Sequence, residues 1–154
     1  MIYGMRQVGH GEDALPLLPC ACGSLRRAAR ATTQLFDREL RSTGIKTPQF
    51  GLMQALAHVG PVTQGRLGRL LALDSTTLSR TLRPLEAKRW IRCTPGKDRR
   101  ERRLELTAAG RSQLDRATPA WERVQRRLKD RLGSERWEGL LAELAAVAGV
   151  AHDA

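Results

Sequence analysis

"CTPGKDRRERRLELTAAG", residues Cys93 to Gly110, sets the reading of the whole chain. Five basic and two acidic residues crowd Lys97–Arg103. Ahead of them Ile91 and Cys93 alternate with Arg92 and Thr94; behind them Leu104 and Leu106 alternate with Arg103 and Glu105. Such alternation marks half-buried strands, and Pro95-Gly96 is a turn former. The expectation is a two-stranded hairpin with a charged tip, followed by a helix that Thr107 opens. A merely solvated hairpin would need fewer charges, so the segment upstream decides what the charges are for.

That segment is a helix with Asp74 as its cap. Leu78, Leu82 and Leu85 fall at i, i+4 and i+7, which puts them on one face. Ser75, Thr76, Ser79, Arg80 and Arg83 fall on the other, and neither Glu nor Lys occurs between Asp74 and Pro84. Ordinary solvated helix faces are dominated by those two residues. A face of short hydroxyl side chains instead suits entry into a DNA major groove about 12 Å wide. Ser75, Thr76, Thr77 and Ser79 meet that steric demand. Arg80 can reach a base edge or a phosphate, and Arg83 is a candidate phosphate contact. The hairpin tip, with Lys97, Arg99, Arg100 and Arg102, then reads as a wing whose arginines suit the narrow minor groove. Asp98 and Glu101 are expected to pair with neighbouring arginines and stiffen it.

The composition agrees. Of the 154 residues, 27 are basic and 16 acidic, a formal net charge of +11. A polyanionic partner is favoured, nucleic acid ahead of an acidic membrane surface. Only four of the basic residues are lysine, so genomic base composition is a competing source of the arginines. Aromatic residues are 4%, leaving a core of Leu, Ala and Val. Three cysteines, two of them at Cys20 and Cys22, do not make a disulfide framework and suit a reducing compartment. The first residues, with Glu12 and Asp13 before a short apolar run, lack the pattern of a secretory signal. No stretch has the length of a membrane span. A cytoplasmic protein without a membrane partner is expected.

Residues 1–19 read as an N-terminal arm. From Ser24, a cap candidate, Leu25, Ala28, Ala29, Thr32, Leu35, Phe36 and Leu40 recur at helical spacing up to Gly44. Thr47-Pro48 looks like a cap and a first-turn proline, opening a helix whose Phe50, Leu52, Met53, Leu56 and Val59 demand burial. After Gly60-Pro61, Thr63 caps a short helix with Leu67, Leu70 and Leu71. The helix from Thr107 carries Leu114, Ala117, Trp121, Val124 and Leu128 at near-heptad spacing, with Pro119 expected to kink it. Gly133-Ser134 precedes a last helix with Trp137, Leu140, Leu141, Leu144 and Val147 on one stripe. Helix, helix, turn, helix and hairpin, in that order, is a mainly α, winged helix-turn-helix arrangement with a two-stranded β wing.

The resemblance is to a known family. "DRRERRLELTAAG" (98–110) resembles the wing signature of the MarR (multiple antibiotic resistance regulator) family: Asp-x-Arg, three residues, then Leu-x-Leu-Thr-x-x-Gly. "LALDSTTLSRTLRPLEAKRWI" (71–91) is similar to that family's recognition helix and first wing strand, and "LFDRELRSTGIKTPQFGLMQAL" (35–56) to its first two helices. The likeness runs over about residues 20–150. It implies that Asp98 orients the wing, that Arg100 enters the minor groove and that residues 75–80 read the major groove. One departure is Arg89, where the family commonly has a glycine ending the recognition helix.

The same resemblance implies a homodimer, since the family's first, fifth and sixth helices form a two-fold interface. The apolar stripes on the terminal segments agree with it; coverage of a monomer core is the alternative. The domains expected are thus the arm at 1–19, a dimerisation helix at 20–46, the winged helix-turn-helix at 47–107 and dimerisation helices at 108–150. Partners are double-stranded DNA and a second copy of the chain.

Family members commonly release DNA on binding a small aromatic or anionic ligand, or on oxidation of a cysteine. Cys22 falls where the peroxide-sensing branch carries its reactive cysteine, with Cys20 nearby as a resolving thiol. Arg26 and Arg27 lie one turn on, a basic setting of the kind reactive thiols use. The tyrosines that hold the thiolate in that branch fall at Phe36 and Thr47 here, which have no phenolic hydroxyl. A small-molecule ligand in a cleft between the dimerisation helices and the winged domain is therefore the expected trigger, with Cys20 and Cys22 as candidate redox residues for the alternative. Cys93 shares the inward face of Ile91 and reads as structural.

No nucleophile–base constellation or phosphate-cradling glycine loop occurs, so no enzyme and no cofactor is expected. His10, His58 and His152 are scattered and no metal site is expected. The competing reading is a basic architectural or RNA-binding protein without sequence preference, against which the short polar recognition face argues. Taken together, the expectation is a palindrome-reading transcriptional regulator, a repressor in its commonest form.

Overall fold

Where a capping side chain is present the helix start follows local chemistry, and the packing follows from the faces the helices expose. The computed structural model describes residues 7–8, 15–16, 20–96, 98 and 101–153. The remainder of the expected arm, and Lys97, Arg99 and Arg100 of the expected wing tip, lie outside the described residues.

Gln7–Val8 (β1) and Leu15–Pro16 (β2) pair antiparallel. The first helix, α1, spans Ala21–Leu40, and a single 3-10 turn, Arg41–Thr43, carries it to Gly44 at φ +71°. It begins three residues before Ser24. Cys20 is its N-cap and makes no side-chain cap bond, so the start has no capping signal in the sequence.

Helix α2 spans Thr47–Val59. Its N-cap is Lys46 rather than the expected Thr47, with the Lys46 N–H donating to Gln49 Oε1 at 3.0 Å. Thr47, which looks like the cap, instead donates both its N–H (2.8 Å) and its hydroxyl (2.7 Å) to Asp37 Oδ1 of α1. Phe50, Leu52, Met53 and Leu56 are buried, as their distribution around the helix requires, while Val59 is exposed.

After the Gly60-Pro61 break come Val62–Thr63 (β3), Gln64–Leu70 (α3) and Ser75–Ala87 (α4). Thr63 caps α3 by accepting the Arg66 N–H, and Asp74 caps α4 by accepting the Thr77 N–H at 2.8 Å. Leu78, Leu82 and Leu85 are all buried. The hairpin is Ile91–Pro95 (β4) against Arg102–Leu106 (β5), with Ile91 opposite Leu106 and Cys93 opposite Leu104. The sheet has three strands rather than the expected two, in the order β3-β5-β4, because Val62 and Thr63 pair with Leu104 and Arg103. That edge strand joins the helix-turn-helix to the wing by backbone hydrogen bonds.

Thr107 caps α5 (Ala108–Leu132) through the Gly110 N–H, and α5 runs through Pro119 without ending. Leu114, Ala117 and Val124 are buried, and Trp121 stacks on Phe50 of α2 with ring centroids 5.7 Å apart. Gln113, the one buried polar residue among those described, donates to the Thr43 carbonyl at 2.6 Å and so pins the end of α1 to α5. Glu39 of α1 pairs with Arg127 (3.2 Å) and Arg123 (3.6 Å) of α5. Gly133 at φ +84° turns the chain into α6 (Ser134–Asp153). There Leu140, Leu141, Leu144, Val147 and Val150 remain 40–73% exposed. These five residues form an exposed apolar stripe on the last helix.

Candidate nucleic-acid interface

The outward face of α4 is built from Ser75, Thr76, Ser79, Arg80 and Arg83, all exposed and together lining one shallow depression. Their presentation follows from the opposite face. With Leu78, Leu82 and Leu85 locked in the core, the helix cannot rotate without exposing three leucines, each worth about 1.5–3 kcal/mol of burial.

Thr77 stands apart from its neighbours. It is exposed, but its hydroxyl donates to Asp74 Oδ2 at 2.6 Å, so it completes the cap. That hydroxyl and the Thr77 N–H hold the Asp74 carboxyl below the usual carboxylate range.

Alongside α4 lies a groove lined by Gln64, Arg66 and Arg69 of α3, Ser75 of α4, and Glu101 and Arg102 at the hairpin. Arg66 and Arg69 are exposed basic residues on the path to the recognition face, and sequence reasoning passed over them. Their i, i+3 spacing on a short helix next to a turn was the available signal. Gln64 was also missed. Its Nε2 donates to Ser79 Oγ at 3.2 Å, bracing α3 against the middle of the recognition face.

At the hairpin, Asp98 lies in a bend with its carbonyl accepting the Glu101 N–H at 2.9 Å. The Gly96 N–H donates to the Glu101 carbonyl at 2.7 Å, closing the base of the loop. Arg102, expected among the DNA contacts, is engaged within the protein. Its Nη2 meets Glu86 Oε1 at 2.8 Å and its Nε donates to Cys93 Sγ at 3.1 Å. Cys93 foremost, with help from Glu86, holds the Arg102 guanidinium still more firmly charged. Arg92 and Arg103 are also tied down, to Glu105 and to the Pro61 carbonyl.

Arg89, between α4 and β4, has φ +57°, the left-handed region that favours glycine. The turn keeps the geometry of a glycine stop although arginine occupies it. Lys88 next to it donates to the Gly44 carbonyl at 3.0 Å and lies 4.4 Å over the Trp90 ring. At the other end of the chain, Cys20 and Cys22 are exposed at the first turn of α1. Phe36 is buried and the Thr47 hydroxyl is committed to Asp37. Among the described residues, no helix is long and apolar enough to cross a membrane.

Comparison with known proteins gives consistent relatives. A model of the MarR family matches residues 43–101. The M. tuberculosis transcriptional regulator MosR, solved in complex with DNA, is 33% identical and superposes with a TM-score of 0.79, covering 87% of this chain and 97% of that one. The uncharacterized HTH-type transcriptional regulator YwoH of Bacillus subtilis (strain 168) is 28% identical over 83 residues, 54% of this chain. The HTH-type transcriptional repressor NicR of Pseudomonas putida is 29% identical over 101 residues, 65% of this chain. The chain spans 61% and 64% of the lengths of these two curated relatives.

Proposed function

This chain belongs to the MarR family of winged helix-turn-helix transcriptional regulators, and from that premise we propose that it is a repressor that binds a palindromic operator as a homodimer. The observation that carries the reading is the exposed face of α4, where Ser75, Thr76, Ser79, Arg80 and Arg83 stand free of the core and Ser75 shares a groove with Arg102 of the hairpin. Residues 47–107 are the DNA-binding unit in this reading. Helix α4 enters the major groove, and the wing, with Lys97, Arg99 and Arg100 at its tip and Asp98 orienting it, reaches the minor groove. The DNA-bound state of MosR supports DNA as the partner, and similarity to the transcriptional repressor NicR supports repression.

Residues 20–46 and 108–150 supply the dimer contact. Support comes from the unpartnered apolar stripe Leu140–Val150 of α6. A two-fold relation sets the two recognition helices about one helical turn, ~34–36 Å, apart, and so selects an inverted repeat.

Release by a small aromatic or anionic ligand completes this reading. Phe36 and Thr47 offer no hydroxyl to a thiolate at Cys22, Thr47 because Asp37 already holds it. The ligand acts by binding one spacing of the recognition helices better than the other. A thiol trigger has one observation of its own, the exposure of Cys20 and Cys22 together on the first turn of α1.

The test is selection of duplexes from a randomised library by the wild-type protein, followed by footprinting. Enrichment of an inverted repeat protected on one face is expected; binding without enrichment would mean a non-specific basic protein. Titrating the selected duplex with wild type and with a Cys20→Ser/Cys22→Ser variant, before and after mild organic hydroperoxide, separates the triggers. Release of the wild type alone by near-stoichiometric oxidant would favour the thiol.

A further inference from the structure

Glu86 is an unexpected residue for its place. It is the one acidic residue of α4, on the element that is to approach polyanionic DNA. It also sits in the last turn, where a carboxylate opposes the helix dipole. Both effects disfavour it unless a cation answers it. Arg102 does so, from the first residue of β5, at 2.8 Å. The same guanidinium is fixed from a second side by Cys93 Sγ of β4 at 3.1 Å. One side chain thus touches α4, β4 and β5. The pair is only partly buried, with side-chain exposures of 51% for Arg102 and 30% for Glu86. It is therefore a weak source of global stability, of the kind that contributes little to unfolding free energy.

We infer that Glu86 and Arg102 are positioning residues for DNA binding: their ion pair sets the wing at a fixed attitude to the recognition helix. This rests on the reading of α4 and the wing as the two groove-reading elements. A helix and a hairpin that enter neighbouring grooves of one duplex must keep a fixed relative position, or each pays an ordering cost on binding. The backbone pairing of β3 with β5 anchors the hairpin to the start of the helix-turn-helix. The Glu86–Arg102 bracket does the same at the opposite, C-terminal end of α4. Arg102 is then withdrawn from phosphate contact, and its charge is spent on geometry.

The two roles for Arg102 predict opposite results for Glu86→Gln. A phosphate-contacting Arg102 is freed by that change, and one negative charge near DNA disappears, so binding tightens. A positioning Arg102 loses its anchor, so binding to the selected duplex weakens by about two- to fivefold, the scale of a solvent-accessible ion pair. The experiment titrates Glu86→Gln, Arg102→Gln, the double variant and the reversed pair Glu86→Arg/Arg102→Glu. Each is titrated on the selected duplex and on a scrambled one at several salt concentrations.

Similar losses are expected for both single variants, confined to the selected duplex. The double should be no worse than either single, the salt slope unchanged, and the reversed pair partly restored. Tighter or unchanged binding by Glu86→Gln, with a salt slope lowered by about one unit for Arg102→Gln, would overturn the proposal in favour of a phosphate contact. Equal losses on both duplexes that track a lowered melting temperature would overturn it in favour of a purely structural role. Should Arg102→Gln fail to fold, Glu86→Gln decides alone, since its sign differs between the roles. If wild type itself fails to distinguish the two duplexes, the groove-reading assignment has failed, a result separate from all of these.

Discussion

Asp37 Oδ1 accepts two hydrogen bonds from Thr47, one from the backbone N–H at 2.8 Å and one from the hydroxyl at 2.7 Å. A carboxylate on α1 thereby caps the first turn of α2 across the 3-10 turn and Gly44. Asp37→Ala should lower stability by about 1–2 kcal/mol, the scale of a lost cap. Asp37→Asn, which keeps an acceptor at that position, should lose less. Urea unfolding midpoints of the two variants check this; an unchanged midpoint for Asp37→Ala would remove the α1–α2 tie from the account.

Gly110 is the glycine of the wing signature, and its place in the packing explains it. A Cβ there would lie 2.0 Å from the Trp90 carbonyl oxygen and 2.9 Å from Leu106 Cδ1. The Trp90 carbonyl cannot easily retreat, because it accepts the Thr107 N–H at 3.0 Å. Gly110→Ala gains about 1 kcal/mol of helix propensity, yet overpacking outweighs it. A net loss of about 1–3 kcal/mol is expected by calorimetry or denaturant. A more stable variant would contradict the close approach of α5 to the Trp90 carbonyl.

Arg89 at φ +57° invites the reverse experiment. An L-residue in the left-handed region costs about 1–2 kcal/mol, while glycine there adds chain entropy to the unfolded state. Arg89→Gly should therefore stabilise the protein by a net of about 0.5–1 kcal/mol. The Arg89 carbonyl, which accepts the Thr107 hydroxyl at 2.8 Å, is untouched by the change. Loss of stability would mean that the Arg89 side chain contributes more than its backbone costs.

Asp74 gives a pH dependence of definite sign. Its carboxyl is lowered in the folded protein by the Thr77 hydroxyl first and the Thr77 N–H next. A depressed carboxylate contributes stability that is complete above its unfolded value of about 3.9 and disappears as pH falls through the lower folded value. The stability advantage of wild type over Asp74→Asn should be constant near neutrality and shrink below about pH 4. Melting curves of both proteins across that range test it. An advantage that stays constant down to the acid limit would show that this cap carries no net proton linkage.

Leu144 probes the proposed dimer. It is 40% exposed within the apolar stripe of α6, and a two-fold contact through that stripe would bury it twice. Leu144→Arg should raise the dimer dissociation constant about ten- to fiftyfold, from two burials of the exposed part of the side chain at about 0.6–1.2 kcal/mol each. Helix content should be retained. Sedimentation velocity of wild type and variant gives the answer directly; a wild-type monomer at micromolar concentration would reject the homodimer.

Local signals carried most of the element order. Thr63, Asp74 and Thr107 were legible as caps because each side chain bonds a backbone N–H three residues on. Leu78, Leu82 and Leu85 were legible as one face because a helix repeats every 3.6 residues whatever surrounds it. The exposed face of α4 followed by subtraction, and with it the core of the DNA-reading hypothesis. Tertiary structure decided everything that depends on a partner distant in sequence. Thr47 has the composition of a cap, but Asp37, ten residues back, makes it a donor. Ser24 has the same composition, yet the helix had already started at Ala21. Val62–Thr63 is too short to alternate, so only Leu104 and Arg103 opposite make it a strand. Arg102 carries the charge expected of a DNA contact, and only the fold brings Glu86, sixteen residues away on another element, within hydrogen-bond distance of it. Periodicity and capping are written in nearest neighbours along the chain. Which polar group a side chain meets is settled by packing, because burial leaves each donor only the acceptors that the fold brings within about 3 Å.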